Sequence, residues 1–342
     1  MRRSNNLGSY TTANLMAHMA KNFNIELYFF TPKDFSPQDK TVRAVFIDGN
    51  NQTEMTIPLP KIVYDITSLF YQKKIRTLFK DHCYFFQYGW GASKQTIFDV
   101  LTKDGRFKEF LIETHTIESF EHFLSLLKQY HNDVVLKPDV GSLGKGVVRI
   151  TADENEYVIT FQDKKIFFKS VAELQNYYEK NFTQRLYALQ PYIFSRTKYG
   201  NPFDIRVHAR RGAEGKFKLC PYPRLGRDPE GILSNISAGG YTMPINKFLQ
   251  QEYGDDWQMI YDKLIYLGNN IPELIQSFCN KTIFAMGIDV GIQRRGDSYE
   301  LKVFEINTYN PGIGGLPIEA AFITLEYLQY LGKNPTKELL MY

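Results

Sequence analysis

Two runs near the C-terminus, IDVGIQ and YELKVFEIN, alternate in polarity residue by residue and flank the turn-like segment RRGDS. Alternation at a period of two commits each run to a strand with one apolar and one polar face, and the intervening turn pairs them as an antiparallel hairpin. The midpoint between positions 289 and 305 is 297, inside that turn, so Asp289 is expected opposite Glu305. Asn307, two residues further on, shares their face. Two facing carboxylates repel unless positive charge lies between them. Two acids and an amide offer only oxygen donors. That set suits Mg²⁺, which keeps waters and takes its other ligands from phosphate oxygens. The competing reading is a solvated hairpin face.

The rest of the chain bounds what such a hairpin belongs to. Its 342 residues suffice for a large core and two or three subdomains, and 43% hydrophobic with 15% aromatic content marks a globular chain. No apolar run approaches the ~20 residues of a membrane span, and MRRSNNLGSY lacks the apolar core of a signal peptide. The three cysteines, Cys83, Cys220 and Cys279, are scattered and in no metal spacing, which reads as reduced thiols in a cytosolic protein. A net charge of +4 does not argue for a nucleic-acid partner.

Short apolar runs and helical patterns alternate up to about residue 90: TANLMAHMAKNF as a helix, ELYFF, RAVFI and KIVYDI as strands. This suggests a small α/β domain over residues 1–92, one that opens on a helix where a doubly wound domain opens on a strand. Residues 95 to 130 read as helical, with Thr116 placed to cap IESFEHFLSLLKQY. DVVLKP, VVRI, YVITF and KIFFK read as strands, and Ser170 with Glu173 forms a capping box before VAELQNYYEK. The strand-rich stretch from LYALQPYI leads to helices at IPELIQSFCNKTIFAM, with Pro272 near its first turn, and at PIEAAFITLEYLQYL, with Pro317 likewise. The division that follows is 1–92, 93–195 and 196–342.

Four further motifs carry chemistry. In KPDVGSLGKGVV, Lys137 ends a strand and Gly141, Ser142, Gly144, Lys145 and Gly146 form a glycine-rich loop before the next strand. Three glycines in six residues let backbone N–H groups close around an anion, and strand–loop–strand fits a flap over phosphates better than a Walker loop, which opens a helix. In FDIRVHA, Asp204, Arg206 and His208 share one face. Arg206 can fork onto a phosphate with Asp204 holding the fork, while His208 reads as structural or solvent-facing. Arg224 precedes SNISAGG, where Asn235 and the pair Gly239-Gly240 permit close backbone approach. Gln190-Pro191-Tyr192-Ile193 breaks an apolar run and can form a slot for a base. Each alone is also compatible with an ordinary turn, strand or surface pair.

Taken together, KPDVGSLGKGV, LQPYI, FDIRV, SNISAGG and DVG…FEIN resemble the ATP-grasp superfamily in order and approximate spacing. The chain looks most like the endospore coat-associated YheC/YheD-like proteins of that superfamily, through PKIVYDI, FFQYGWGASKQTIFDVL and FLIETHTI as well. FEINTYNPG also looks like prokaryotic glutathione synthetase. The resemblance spans roughly residues 20 to 330. It implies an α/β (α+β) ATP-grasp fold, two α/β subdomains sandwiching ATP behind a small, truncated pre-ATP-grasp domain. Position by position it implies Lys94 (with Lys103 as fallback) and Lys137 as nucleotide-binding lysines. Gly141, Ser142, Gly144, Lys145 and Gly146 become the phosphate flap, and Gln190, Pro191, Tyr192 and Ile193 the adenine hinge. Asp204 and Arg206 become a phosphate-facing pair, with Arg224, Asn235 and Gly240 around an acyl-phosphate pocket. Asp289, Glu305 and Asn307 become ligands of two Mg²⁺, for which Mn²⁺ can stand in. No acid lies between Gln190 and Asp204, where many relatives hold the ribose.

The activity implied is an ATP- and Mg-dependent ligase that joins a small-molecule or peptide carboxylate to an amine through an acyl phosphate. No protein nucleophile is required, and the chain holds no Ser/His/Asp or Cys/His constellation. Two alternatives stay open: an inactive ATP-binding coat or scaffold protein, and an ATP-grasp phosphotransferase. No membrane partner is expected, and oligomerisation stays open.

Overall fold

The computed structural model describes residues 11–65, 77–79, 82–86, 92–138, 146–161, 164–236, 239–308 and 311–334. The N-terminal part opens on α1 (Thr11–Met19) and builds a small antiparallel sheet from β1 (Tyr28–Phe29), β2 (Phe35–Ser36), β3 (Thr41–Asp48) and β4 (Asn51–Pro58). The strand expected at ELYFF shrinks to Tyr28 and Phe29, both half-buried. A separate parallel pair, β5 (Ile62–Tyr64) and β6 (Tyr84–Phe86), stands beside it.

Next comes α2 (Lys94–Asp104). Gly105, at a φ of +82°, ends it and donates its N–H to Leu101 O, so the helical reading of 95–130 is broken here. The chain returns to helix only at α3 (Phe120–Gln129), with β7 (His115–Thr116) between. Ser119, not Thr116, caps α3: its Oγ accepts from His122 N at 3.1 Å, while Thr116 is taken up in strand pairing with Ala188.

The strands read at 133–168 form as expected: β8 (Asp133–Pro138), β9 (Val148–Ala152), β10 (Tyr157–Phe161) and β11 (Lys164–Phe168). With β7 and β12 (Tyr187–Pro191) they make a six-stranded sheet in the order β11-β10-β9-β8-β12-β7. Its one covered face packs Val134, Leu136, Ile150 and Leu189 against α3 and α4 (Val171–Phe182). We call this unit the lid. Ser170 Oγ accepts from Glu173 N at 3.2 Å, the first half of the expected capping box, but the Glu173 carboxylate accepts from Lys169 N at 2.8 Å in place of Ser170 N.

The second large sheet is antiparallel, in the order β14 (Phe217–Leu225), β13 (Phe203–Arg211), β15 (Ala285–Arg295), β16 (Ser298–Asn307). Ile205, Val207, Met286, Ile288, Val290 and Val303 cover its core face. Against them lie α5 (Ile245–Tyr253) and α6 (Trp257–Ser277). Pro272 sits inside α6 rather than at its start. The stripe Ile260, Leu264, Leu267, Ile271 and Ile275 recurs at three- and four-residue steps and is fully buried. That burial outweighs the ~3 kcal/mol a proline costs in a helix interior.

Ile97, Leu101, Phe107 and Phe110 join this same core. The expected subdomain of 93–195 is thereby divided, its first part packing with the C-terminal sheet. Finally α7 (Pro317–Lys333) starts on Pro317, as expected, and packs Ala321 and Leu325 against Met16 of α1 and Ala20 just beyond it. Among the described residues no helix is long and apolar enough to cross a membrane, and Cys83, Cys220 and Cys279 are free thiols.

Candidate active site between the lid and the C-terminal sheet

Since alternate residues of β13 and β15 are apolar and buried under α6, the residues between them face the other way. These are Asp204, Arg206 and His208 on β13, and Gly287, Asp289, Gly291 and Gln293 on β15. Register then sets the pairs. Asp204 stands opposite Arg224, Arg206 opposite Asp289, and Asp289 opposite Glu305, with Asn307 opposite Gly287.

The Asp289–Glu305 pairing expected from the hairpin midpoint is present, but for a reason alternation does not reveal. The turn holds only Gly296 and Asp297 between the paired Arg295 and Ser298, a register that alone would set Asp289 across from Phe304. A β-bulge between Asp289 and Val290 inserts Phe304 unpaired and moves Glu305 into place. Phe304 folds its ring over Gly291, where a Cβ would lie 2.1 Å from Phe304 Cζ.

Positive charge does separate the facing carboxylates, and the protein supplies it. Arg206 forks onto Asp289, through Nε to Oδ1 and through Nη2 to Oδ2 at 3.0 Å, and its Nη1 reaches Gly312 O at 3.2 Å. Arg224 forks onto Asp204 at 2.6 and 2.8 Å and also lies 2.9 Å from Asp289 Oδ2. Asp204 therefore holds Arg224, not Arg206 as expected. Directly opposed residues on neighbouring strands stand about 5 Å apart and same-strand neighbours about 7 Å, so cross-strand partners win. Ser234 Oγ donates to Asp204 Oδ2, a contact the sequence reading missed because a lone serine in a loop carries no pattern. All four charged side chains are buried. Burial pushes the Asp289 carboxyl up, but Arg206 and Arg224 outweigh it and hold its pKa below the ordinary value. Burial, with Arg210 and Arg206 nearby, holds His208 neutral, far below its usual range. It is a structural histidine.

From the other side two lysines arrive. Lys94, the first residue of α2 behind the cap Ser93, lies 3.1 Å from Glu305 Oε1. Lys137 ends β8. Since Val134 and Leu136 face the lid core, Lys137 faces the sheet, its Nζ 5.4 Å from the Phe304 ring centroid. Desolvation draws its ammonium down from 10.5 to about 8, Glu305 opposing the fall and Lys94 adding to it. Lys103 is in the last turn of the same helix.

Gly146 has a φ of +78°, a left-handed conformation that favours glycine, and a Cβ there would press on the movable end of Arg185. Gly141, Ser142, Gly144 and Lys145 lie outside the described residues. Gln190 and Pro191 end β12, Tyr192 N donates to Asp133 O at 3.1 Å, and Ile193 is buried. Asn235, next to Ser234, accepts through its main-chain O from Gly240 N at 3.2 Å. The fold thus gathers Lys94, Lys137, Asp204, Arg206, Arg224, Asp289, Glu305 and Asn307 on one cleft.

Among the described residues no three of His, Cys, Asp and Glu form a metal cage. The donor set is instead oxygen from two acids and an amide. Glu305 is paired with Lys94 and its side chain is 31% exposed, whereas Asp289 meets two guanidinium groups and, at 3.4 Å, Asn307 Nδ2. Such a set fits a hard cation with Glu305 and Asn307 as accessible ligands and Asp289 shared with the arginines.

A family model described as YheC/D like ATP-grasp matches residues 82–314. The chain is 24% identical over 313 residues to the endospore coat-associated protein YheC of Bacillus subtilis (strain 168), covering 87% of this chain and 84% of that protein. Among solved structures it is similar to the macrocyclase MdnC bound with precursor peptide MdnA from Microcystis aeruginosa MRC. That likeness has 13% identity and a TM-score of 0.49, and covers 96% of this chain and 98% of that one. It is also similar to the ATP-grasp ligase PsnB complexed with a phosphomimetic variant of its minimal precursor, Mg and ADP. There the identity is 13%, the TM-score 0.46, and the coverage 94% and 95%.

Proposed function

The chain belongs to the YheC/D-like ATP-grasp family and has its mixed α/β fold, and on that premise we propose that it is an ATP-dependent ligase joining a carboxylate to an amine with release of ADP and phosphate. One observation carries the reading: Lys94, Lys137, Arg206 and Arg224 converge with Asp289, Glu305 and Asn307 between the lid and the polar face of the C-terminal sheet. Four cations around three oxygen ligands suit a polyphosphate and its divalent ion.

The chemistry follows from the residues. Lys137 and Lys94 bind phosphate oxygens from the lid side and from α2, and Phe304 offers an apolar floor beside Lys137. A substrate carboxylate oxygen attacks the γ-phosphorus, the bond to the ADP oxygen breaks, and an acyl phosphate forms. Arg206 and Arg224 stabilise the negative charge on the transferred group. The contacts named here occupy three of the five N–H donors of Arg206, so it can serve a phosphate while Asp289 keeps its orientation. The amine then displaces phosphate and loses a proton, giving the amide. Mg²⁺, held by Glu305, Asn307 and Asp289, would neutralise charge on the phosphate oxygens when bound. Asp204 holds Arg224 in place with Ser234.

The test is ADP release over a panel of amino acids and peptides, with products weighed by mass spectrometry. ADP should appear together with an amide, and Glu305→Gln should lower turnover by at least about a hundredfold. Undiminished turnover in that variant sinks the metal assignment. A phosphorylated product without an amide identifies a phosphotransferase, and nucleotide binding without turnover on any pair favours an inactive scaffold.

A further inference from the structure

Gln190 is 6% exposed and stands on the cleft side of the lid sheet. Leu136 and Leu189 face the helix-covered core, and the register sets Ala188 opposite Lys137 and Gln190 opposite Val135. Gln190 is thus two residues, about 7 Å, further along the strand than the phosphate end marked by Lys137. Its Nε2 donates to Thr114 Oγ1 at 2.8 Å, and the Thr114 hydroxyl donates to Ile112 O at 2.9 Å. A hydroxyl has one proton. With that proton given to Ile112, Thr114 can only accept from Gln190. The amide edge facing Thr114 is therefore NH₂, and Oε1 points away from it. That oxygen is buried and receives no hydrogen bond among the described residues. A buried acceptor without a donor is costly, and a ligand N–H removes the cost.

We propose that Thr114 is a positioning residue for the choice of nucleobase: it locks the Gln190 amide with Oε1 presented to the base, so the site takes a 6-aminopurine and rejects a 6-oxopurine. The exocyclic amine of a 6-aminopurine donates to Oε1, whereas the carbonyl of a 6-oxopurine meets it lone pair to lone pair. This inference rests on the ATP reading above. Thr114 itself is exposed and would act on the base only through Gln190.

Equilibrium binding of ATP, GTP and the triphosphate of 6-unsubstituted purine riboside to the full chain tests it. Wild type prefers ATP over both by roughly ten- to a hundredfold. Thr114→Ser keeps that preference. Thr114→Val cannot accept from Nε2, the amide is free to turn, and the preference for ATP over GTP falls below about threefold. A merely structural role would move all three affinities together and leave their ratio alone. An unchanged ratio in Thr114→Val overturns the relay while leaving the ATP reading intact, as does a wild type indifferent to the missing 6-amine. Should Thr114→Val not fold, Thr114→Ala, which also lacks the accepting hydroxyl, is read in the same way. A wild type that binds none of the three overturns the ATP reading and this inference with it.

Discussion

At the scale of single residues, the two acids of the hairpin differ in what surrounds them. Asp289 is buried between two guanidinium groups, while Glu305 meets one lysine at a partly exposed site. Removing one partner of a buried charge network leaves the others uncompensated, whereas exposed pairs contribute little. Asp289→Ala is therefore expected to destabilise the fold by about 3–5 kcal/mol and Glu305→Gln by less than about 1 kcal/mol, both read by urea denaturation. Equal losses would contradict the assignment of Asp289 as the arginine holder. Lys137 makes a pH prediction. Its folded pKa of about 8 lies below the ordinary 10.5, so the lysine is charged in both folded and unfolded chains below pH 8. Between those values only the folded chain has lost the proton, so this group's burial cost is relieved as pH rises. Anion binding runs the other way, because phosphates need the ammonium. Nucleotide affinity should fall as pH rises through about 8, and Lys137→Arg should flatten that profile. A wild-type profile already flat from pH 7 to 9.5 would contradict it.

At the scale of elements, the bulge at Phe304 both delivers Glu305 to Asp289 and folds an aromatic ring over Gly291. Gly291→Val would drive a side chain into that ring. We expect a loss of about 1–3 kcal/mol from overpacking and a nucleotide affinity about tenfold weaker from the displaced floor. Retained affinity, measured by nucleotide titration, would remove Phe304 from the site. The strands at 133–138, 203–211 and 285–307 were legible in the sequence because a period of two survives any packing arrangement that buries one face. Partners across strands were not legible. Asp204 and Arg206 are neighbours in sequence, but strand order and register give them different partners, Arg224 on β14 and Asp289 on β15, and the pairing of Asp289 with Glu305 depends on a bulge that polarity alternation cannot show. The helix through Pro272 was misplaced because a buried stripe five residues long overrode local propensity.

At the scale of the whole molecule, the family and its fold were legible because the motifs occur as an ordered set, although each is weak alone. What the motifs could not convey is which core each segment joins. The helix carrying Lys94 packs with the C-terminal sheet, and α7 closes onto α1 at the far end of the chain. Lys94 is thus fixed to the body that carries Glu305, whereas Lys137 belongs to the lid. A ligand held by both lysines must bridge the two units. The most direct measurement is calorimetric titration of a non-hydrolysable ATP analogue with and without Mg²⁺, on wild type and on Glu305→Gln. The account predicts tight binding by wild type that weakens by about tenfold or more without the metal, and a Glu305→Gln protein that has lost most of this Mg²⁺ dependence. No binding by wild type, or binding indifferent to both metal and Glu305, would contradict the assignment of this cleft as a Mg-ATP site.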